Sequence, residues 1–207
     1  MVSASKLAVA EPAITGAAAA AVRPVANLNA RVSAYLIDSA ALLAFVLLFL
    51  VVGGAVLLWS SDLGKNDAPD SAYYASVAVF LGGSLLSWTA FNLALMRWRA
   101  QTMGMYIIGI KTVGEDGLSL TPWRMLLRWF GLHPLLFHPF LLPVWGLFSL
   151  LAVSFTLSQV ILVITVALVL LCLVSPAASM AMMLLDPERR ALHDRLARTL
   201  VVHLNQP

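Results

Sequence analysis

Charge is what this chain has least of. Only 11% of its 207 residues are Asp, Glu, Lys or Arg, against 61% that are apolar, and the mean hydropathy is +0.90. A soluble domain has about 25% charged and roughly 45–50% apolar residues. The shortfall excludes a soluble enzyme, a disordered tail and a nucleic-acid binder that works through a basic surface. The single cysteine, Cys172, lies in an apolar run and excludes an intrachain disulfide. His133, His138, His193 and His203 lack metal-ligand spacing, and no nucleophile elbow, phosphate loop or zinc motif occurs. No catalytic residue, metal, haem or other cofactor is therefore expected, and the chain reads as a non-enzyme. A cleaved signal peptide is not expected either, because Glu11 and Pro12 interrupt the apolar run Leu7–Ala10. No internal repeat is visible.

What is present is long apolar sequence. A membrane-spanning helix needs ~20 mostly apolar residues, since the hydrocarbon is ~30 Å thick and a helix rises about 1.5 Å per residue. Four runs qualify, at about 32–59, 72–96, 132–153 and 156–185. The expected fold is an all-α membrane protein with four transmembrane helices and a cytoplasmic interfacial helix in the middle loop. Residues 1–26 read as a flexible cytoplasmic tail, 27–203 as the membrane domain and 204–207 as the tail end. The third run holds Pro134, Pro139 and Pro143, each of which removes a backbone donor. It enters either as a broken helix or as a re-entrant one.

The distribution of charge orients these runs. Of 13 basic residues, 12 fall before the first run, in the middle loop or in the C-terminal tail, leaving Lys65 alone in the first loop. The positive-inside rule then places both termini in the cytoplasm. The expected location is a bacterial cytoplasmic membrane, with the lipid bilayer as a partner and no nucleic acid. Trp59, Tyr73, Trp98, Trp123 and Trp129 lie near the run boundaries, where aromatic side chains anchor at the interface.

The middle loop, Arg97–Gly131, spans 35 residues, longer than most connections in compact proteins. The stretch through Ile107, Ile108, Ile110 and Val113 is rich in β-branched residues and favours a short strand. Thr199–Val202 has the same character, so a ladder between the two is open. Thr121 and Pro122 read as the cap and first position of a helix carrying Arg124 and Arg128 on one face. Those arginines are expected at anionic lipid headgroups, the alternative being a pair that binds a phosphorylated ligand. Asp186 and Pro187 read as the start of a second short helix.

Asp38 is the one charged residue well inside a run. An ionisable group there costs ~2.5–3.5 kcal/mol on insertion scales and faces protein or water with a partner. Arg31 lies seven residues earlier, nearly on the same helix face, with Tyr35 between them. A buried polar network holding both is expected, either as a packing clasp or as a site for a proton or cation. Asn92 and Gln159 read as interhelical hydrogen-bonding groups.

These residues together resemble the RDD family of bacterial polytopic membrane proteins. The resemblance covers about residues 27–203. Arg31 and Asp38 match the family's first Arg and Asp, and Leu192-His193-Asp194 matches its closing Leu-His-Asp, which makes Asp194 the second aspartate. Gln101-Thr102-Met103-Gly104-Met105, Gly109–Val113, Asp116-Gly117 and the Arg124–Trp129 helix follow the pattern in order. Met103 and Met105 stand where Pro and Lys are usual, and Arg198 where Gly is common. The resemblance implies ligand transport, with sodium–proton exchange in some members. On that basis the candidate cation or proton site is Asp38, with Arg31 and Asp194. Two readings of function stay open: a monovalent cation/proton transporter, needing a homodimer because four spans are few, or a non-catalytic accessory or assembly subunit of a larger membrane complex.

Overall fold

The computed structural model describes residues 24–117, 119–156 and 159–204. Most of the expected N-terminal tail, part of the loop near 154–158 and the last three residues lie outside these.

Two long helices open the chain. α1, Leu28–Ser60, starts where the Asn27 side chain accepts the Ala30 N–H at 2.8 Å. α2 is Asp70–Arg99 and ends at Ala100 in the left-handed region, φ 54°. The two pack as a hairpin through small residues: Ser76 Oγ donates to the Gly53 carbonyl at 2.8 Å, and a Cβ on Gly83 would overlap the Phe49 ring. Close backbone approach of this kind drives helix association where lipid removes the hydrophobic incentive. Among the described residues, three helical segments are long and apolar enough to cross a membrane: Leu28–Ser60, Asp70–Ile108 and Gln159–Leu185. The second counts α2 together with the short helix that follows it.

That short helix, α3, is Met103–Ile108, capped by Thr102. A strand was expected to begin here. The helix wins because Thr102 Oγ1 takes the Met105 N–H and Gly109, at φ 78°, terminates the turn. The strand β1 follows at Ile110–Gly114 and pairs antiparallel with β2, Thr199–His203. The ladder expected between these segments is thus present, and the fold is helical with one small sheet rather than purely α. α4, Pro122–Phe130, begins at the Thr121 cap with Pro122 first, as its sequence predicts.

The third apolar run is not one helix. Gly131–His138 turns through the bundle, a 3-10 turn covers Pro139–Leu141, and only then does α5, Leu142–Thr156, form. Irregular backbone buried among apolar helices must find partners inside the protein, and it does. Trp88 Nε1 donates to Leu135 O, Trp145 Nε1 to Leu136 O and Ser175 Oγ to Leu132 O. His133 Nδ1 and His138 Nδ1 accept the N–H groups of Leu135 and Phe140. Leu135, Leu141 and Val144 join Leu42, Trp88 and Cys172 in the core.

α6, Gln159–Leu185, packs along α5 and returns the chain to the end where α1 begins. The last helix, α7, is Leu192–Ala197. It does not start at Asp186. Arg189, at φ 52°, breaks the chain direction, and Asp186 instead accepts from Glu188 N–H, Arg190 and Arg195. α3, α4, α7 and the β ladder form a charged end on the bundle. The opposite faces of the long helices expose Leu47, Val51, Leu86 and Val163, as lipid-facing helices do.

Candidate functional site

Three side chains far apart in sequence meet at the charged end. Arg31, in the first turn of α1, donates from Nη1 to Asp194 Oδ2 at 2.8 Å; Arg128, near the end of α4, donates from Nε to Asp194 Oδ1 at 2.9 Å. The three side chains are 5%, 1% and 0% exposed for Arg31, Arg128 and Asp194. Arg128 also donates to Thr112 Oγ1 of β1 at 2.8 Å, and Asp194 accepts the Ala191 N–H at 3.2 Å. One carboxylate thus ties the first long helix, the middle loop and the C-terminal segment together.

The electrostatics follow from the geometry. Burial works against the ionised form of Asp194, but the charges of Arg128 and Arg31, with the hydrogen bond from Arg128, outweigh it. The carboxyl is held well below the usual carboxylate range. His193, its neighbour, is pushed down to about 3 by burial, against the pull of Asp194 and with the push of Arg128 and Arg31. It is neutral at pH 7. Its Nε2 lies 3.6 Å from Asp194 Oδ1, too long for a hydrogen bond, and its ring packs on that of His133 with centroids 4.4 Å apart.

Asp38 belongs to a separate arrangement. Its Oδ2 accepts from Thr102 Oγ1 at 2.6 Å and its Oδ1 from the Gly104 N–H at 2.7 Å. Gly104 allows this contact because it rests on Ala34 of α1; a Cβ there would overlap the Ala34 carbonyl. The single network expected for Arg31 and Asp38 is therefore two. The rise between them keeps Arg31 on Asp194, while Asp38 holds the start of α3.

Both arrangements face one cavity of about 340 Å³. Arg31, Tyr35 and Asp38 of α1 line it, so the shared face read from their spacing is real. Arg128, His133, His193 and Asp194 line it as well, and Met180 and Met183 of α6 close the other side.

Other expected placements change. Arg128 is 1% exposed and paired, so it cannot reach lipid headgroups; the apolar neighbours Trp123 and Phe130 face outward instead. Arg124 stays partly exposed and pairs with Asp116 at 2.9 Å. Trp129 is buried in the core rather than anchored at an interface, whereas Trp59, Trp98 and Trp123 are exposed. Asn92 donates to Trp88 O of its own helix, and Gln159 is exposed; among the described residues neither hydrogen-bonds to another helix. Gly104 and Thr112 lie in segments of the family pattern, but their contacts, like that of His133, follow from position in the folded chain and not from residue type. No group of three or more His, Cys, Asp or Glu able to hold a metal occurs among the described residues.

The model of the RDD family matches residues 25–198. No curated protein and no solved structure matches the chain.

Proposed function

The chain belongs to the RDD family, and from that premise we propose that it is a multi-pass transporter exchanging a monovalent cation for protons at Asp38. The observation that carries this reading is the contrast between its two buried carboxylates. Asp194 is fixed between two guanidinium groups and has no capacity left for a proton or a cation. Asp38, 2% exposed and lining the cavity, is bonded only by a hydroxyl and a backbone N–H. Neutral donors leave its charge uncompensated by a directly bonded cation. An intramembrane carboxylate of that kind marks ion and proton pathways. Arg31 acts through Asp194, which it orients at the cavity wall.

In this reading the chain crosses the cytoplasmic membrane four times. The 3-10 turn and α5 together give Pro139–Thr156, about 28 Å of rise, close to the ~30 Å hydrocarbon thickness. Both termini are cytoplasmic, the charged end faces the cytoplasm, and α4 lies at the interface with Trp123 and Phe130 toward lipid. A homodimer supplies the remaining walls of a transport path.

The test is proton flux in liposomes holding the purified protein. Wild type should move protons in response to a sodium, lithium or potassium gradient. Asp38→Asn should fold normally and lose that response. Wild-type protein with no cation dependence across pH 6 to 9 overturns the transporter reading. The accessory-subunit reading then takes its place. One observation already favours it: both carboxylates fasten extramembrane segments to α1, as packing residues would. Stoichiometric co-purification with other membrane proteins would support it.

A further inference from the structure

Arg31 uses only one end of its guanidinium. Nη1 is bonded to Asp194, but Nε and Nη2 are buried with no hydrogen-bond partner among the described residues. Nε–H and the adjacent Nη2–H form the side-on edge that matches two oxygens of a carboxylate or phosphate. His133 is in the same condition. Its Nδ1 accepts the Leu135 N–H, so the neutral ring carries its proton on Nε2, and Nε2 is buried without an acceptor. His193 Nδ1 is also unpartnered. All three residues line the one cavity. Buried donors left unmade are costly, and native proteins rarely carry several together.

Arg31 and Arg128 bring two positive charges to the single negative charge of Asp194. Asp38 lines the same cavity with its own negative charge, held by Thr102 and Gly104. The opposite wall is apolar: Val32, Leu36, Met105, Pro176, Ala177 and Met180. Leu36 and Met180 are 61% and 44% exposed, so the cavity opens sideways between α1 and α6. Leu36 lies eight residues into α1, about 12 Å from its start. The opening therefore sits at shallow membrane depth, where an amphiphile's head and first methylenes lie.

The geometry points to an anionic-amphiphile site in this cavity: the Nε/Nη2 edge of Arg31 and Nε2–H of His133 receive the acidic oxygens, and the apolar wall takes the chain. These atoms are buried, so the Arg31 side chain turns about its torsions to present its free edge, while Nη1 stays near Asp194. The site shares its cavity with Asp38 but uses different side chains.

The test uses protein purified in dodecyl maltoside, with dodecyl phosphate as probe and inorganic phosphate as its headgroup alone. The detergent, with the same chain and a neutral head, is the built-in control. Native mass spectrometry and thermal shift read binding, since a ligand that binds only the folded state raises its melting temperature. One dodecyl phosphate should bind per chain. Arg31→Lys keeps a cation against Asp194 but lacks the fork, and should weaken binding about tenfold or more. Ala177→Trp fills the cavity without touching a polar group and should abolish binding. Should Arg31→Lys fail to fold, Ala177→Trp decides. Inorganic phosphate competing at similar concentration identifies a soluble anion as the source; no competition identifies a lipid. Absence of binding to wild type, or binding unchanged in a folded variant, overturns the proposal.

Discussion

Replacing Asp194 by Asn removes one negative charge from between two buried guanidinium groups while keeping the side-chain volume. Arg31 and Arg128 then lose their charged acceptor, and bulk water offers little compensation, since their side chains are 5% and 1% exposed. Hydrogen bonds to a charged group contribute roughly 1.5–3 kcal/mol each. Breaking a buried ion pair by removing one partner costs about 3–5 kcal/mol, because the survivor is left uncompensated. Asn keeps one acceptor oxygen, so the expected loss is about 3–5 kcal/mol. Unfolding of the purified protein in detergent, followed by tryptophan fluorescence at pH 8, measures it. That pH suits the sign of the linkage: the folded carboxyl lies below its unfolded value near ~3.9, so its contribution is fully present above about pH 4 and is lost as pH falls further. A second variant separates charge compensation from packing. Adding Arg31→Met and Arg128→Met to Asp194→Leu removes every charge of the cluster, and should recover at least half of the loss. A loss below about 0.5 kcal/mol for Asp194→Asn, the range of an ordinary surface change, would refute the reasoning.

Three further outcomes are expected. Gly104→Ala places a Cβ against the Ala34 carbonyl, a backbone atom that cannot yield; thermal unfolding should show a loss of about 1–3 kcal/mol or more. His193 is buried neutral with its pKa pushed down to about 3, so the unfolded chain binds its proton first as pH falls below ~6.5; wild-type stability should drop by about 1.6 kcal/mol between pH 6.5 and 5 from this group alone, and His193→Gln should flatten that part of the profile, parallel profiles being the contrary result. Lys65→Cys should be labelled by a membrane-impermeant thiol reagent in intact cells and Arg190→Cys only after lysis; external labelling at position 190 would reverse the proposed orientation.

The membrane-spanning segments were legible because apolar length has few other meanings, and Thr121-Pro122 announced α4 because capping chemistry is local. The pairing of Arg31 was not legible. Its partner lies 163 residues away, and the only nearby carboxylate in sequence, Asp38, was the natural suggestion. Seven residues of helix put both on one face but also about 10.5 Å apart, and tertiary packing decided which acceptor each side chain met. Arg128 misled for a related reason. An arginine on a short amphipathic helix reads as a headgroup contact until another segment brings a carboxylate beneath it. The break in the third run was signalled by its three prolines. The sequence could not show that Trp88, Trp145 and Ser175 would supply the missing donors.

The two aspartates of the family pattern solve the same problem by opposite means, and this bears on what each can do. Asp194 is compensated by formal charge, so its ionisation and its structural role cannot be separated: losing the charge strands two cations. Asp38 is compensated by dipoles from Thr102 and Gly104. An amide at position 38 could still accept the Gly104 N–H through its oxygen and donate to the Thr102 hydroxyl, which rotates to accept. Fold and charge are therefore separable at Asp38 and inseparable at Asp194. A group that changes protonation or binds a cation during a transport cycle must be one whose charge the fold does not require. On the transporter reading proposed above, that condition points to Asp38 rather than Asp194, whichever ion is moved.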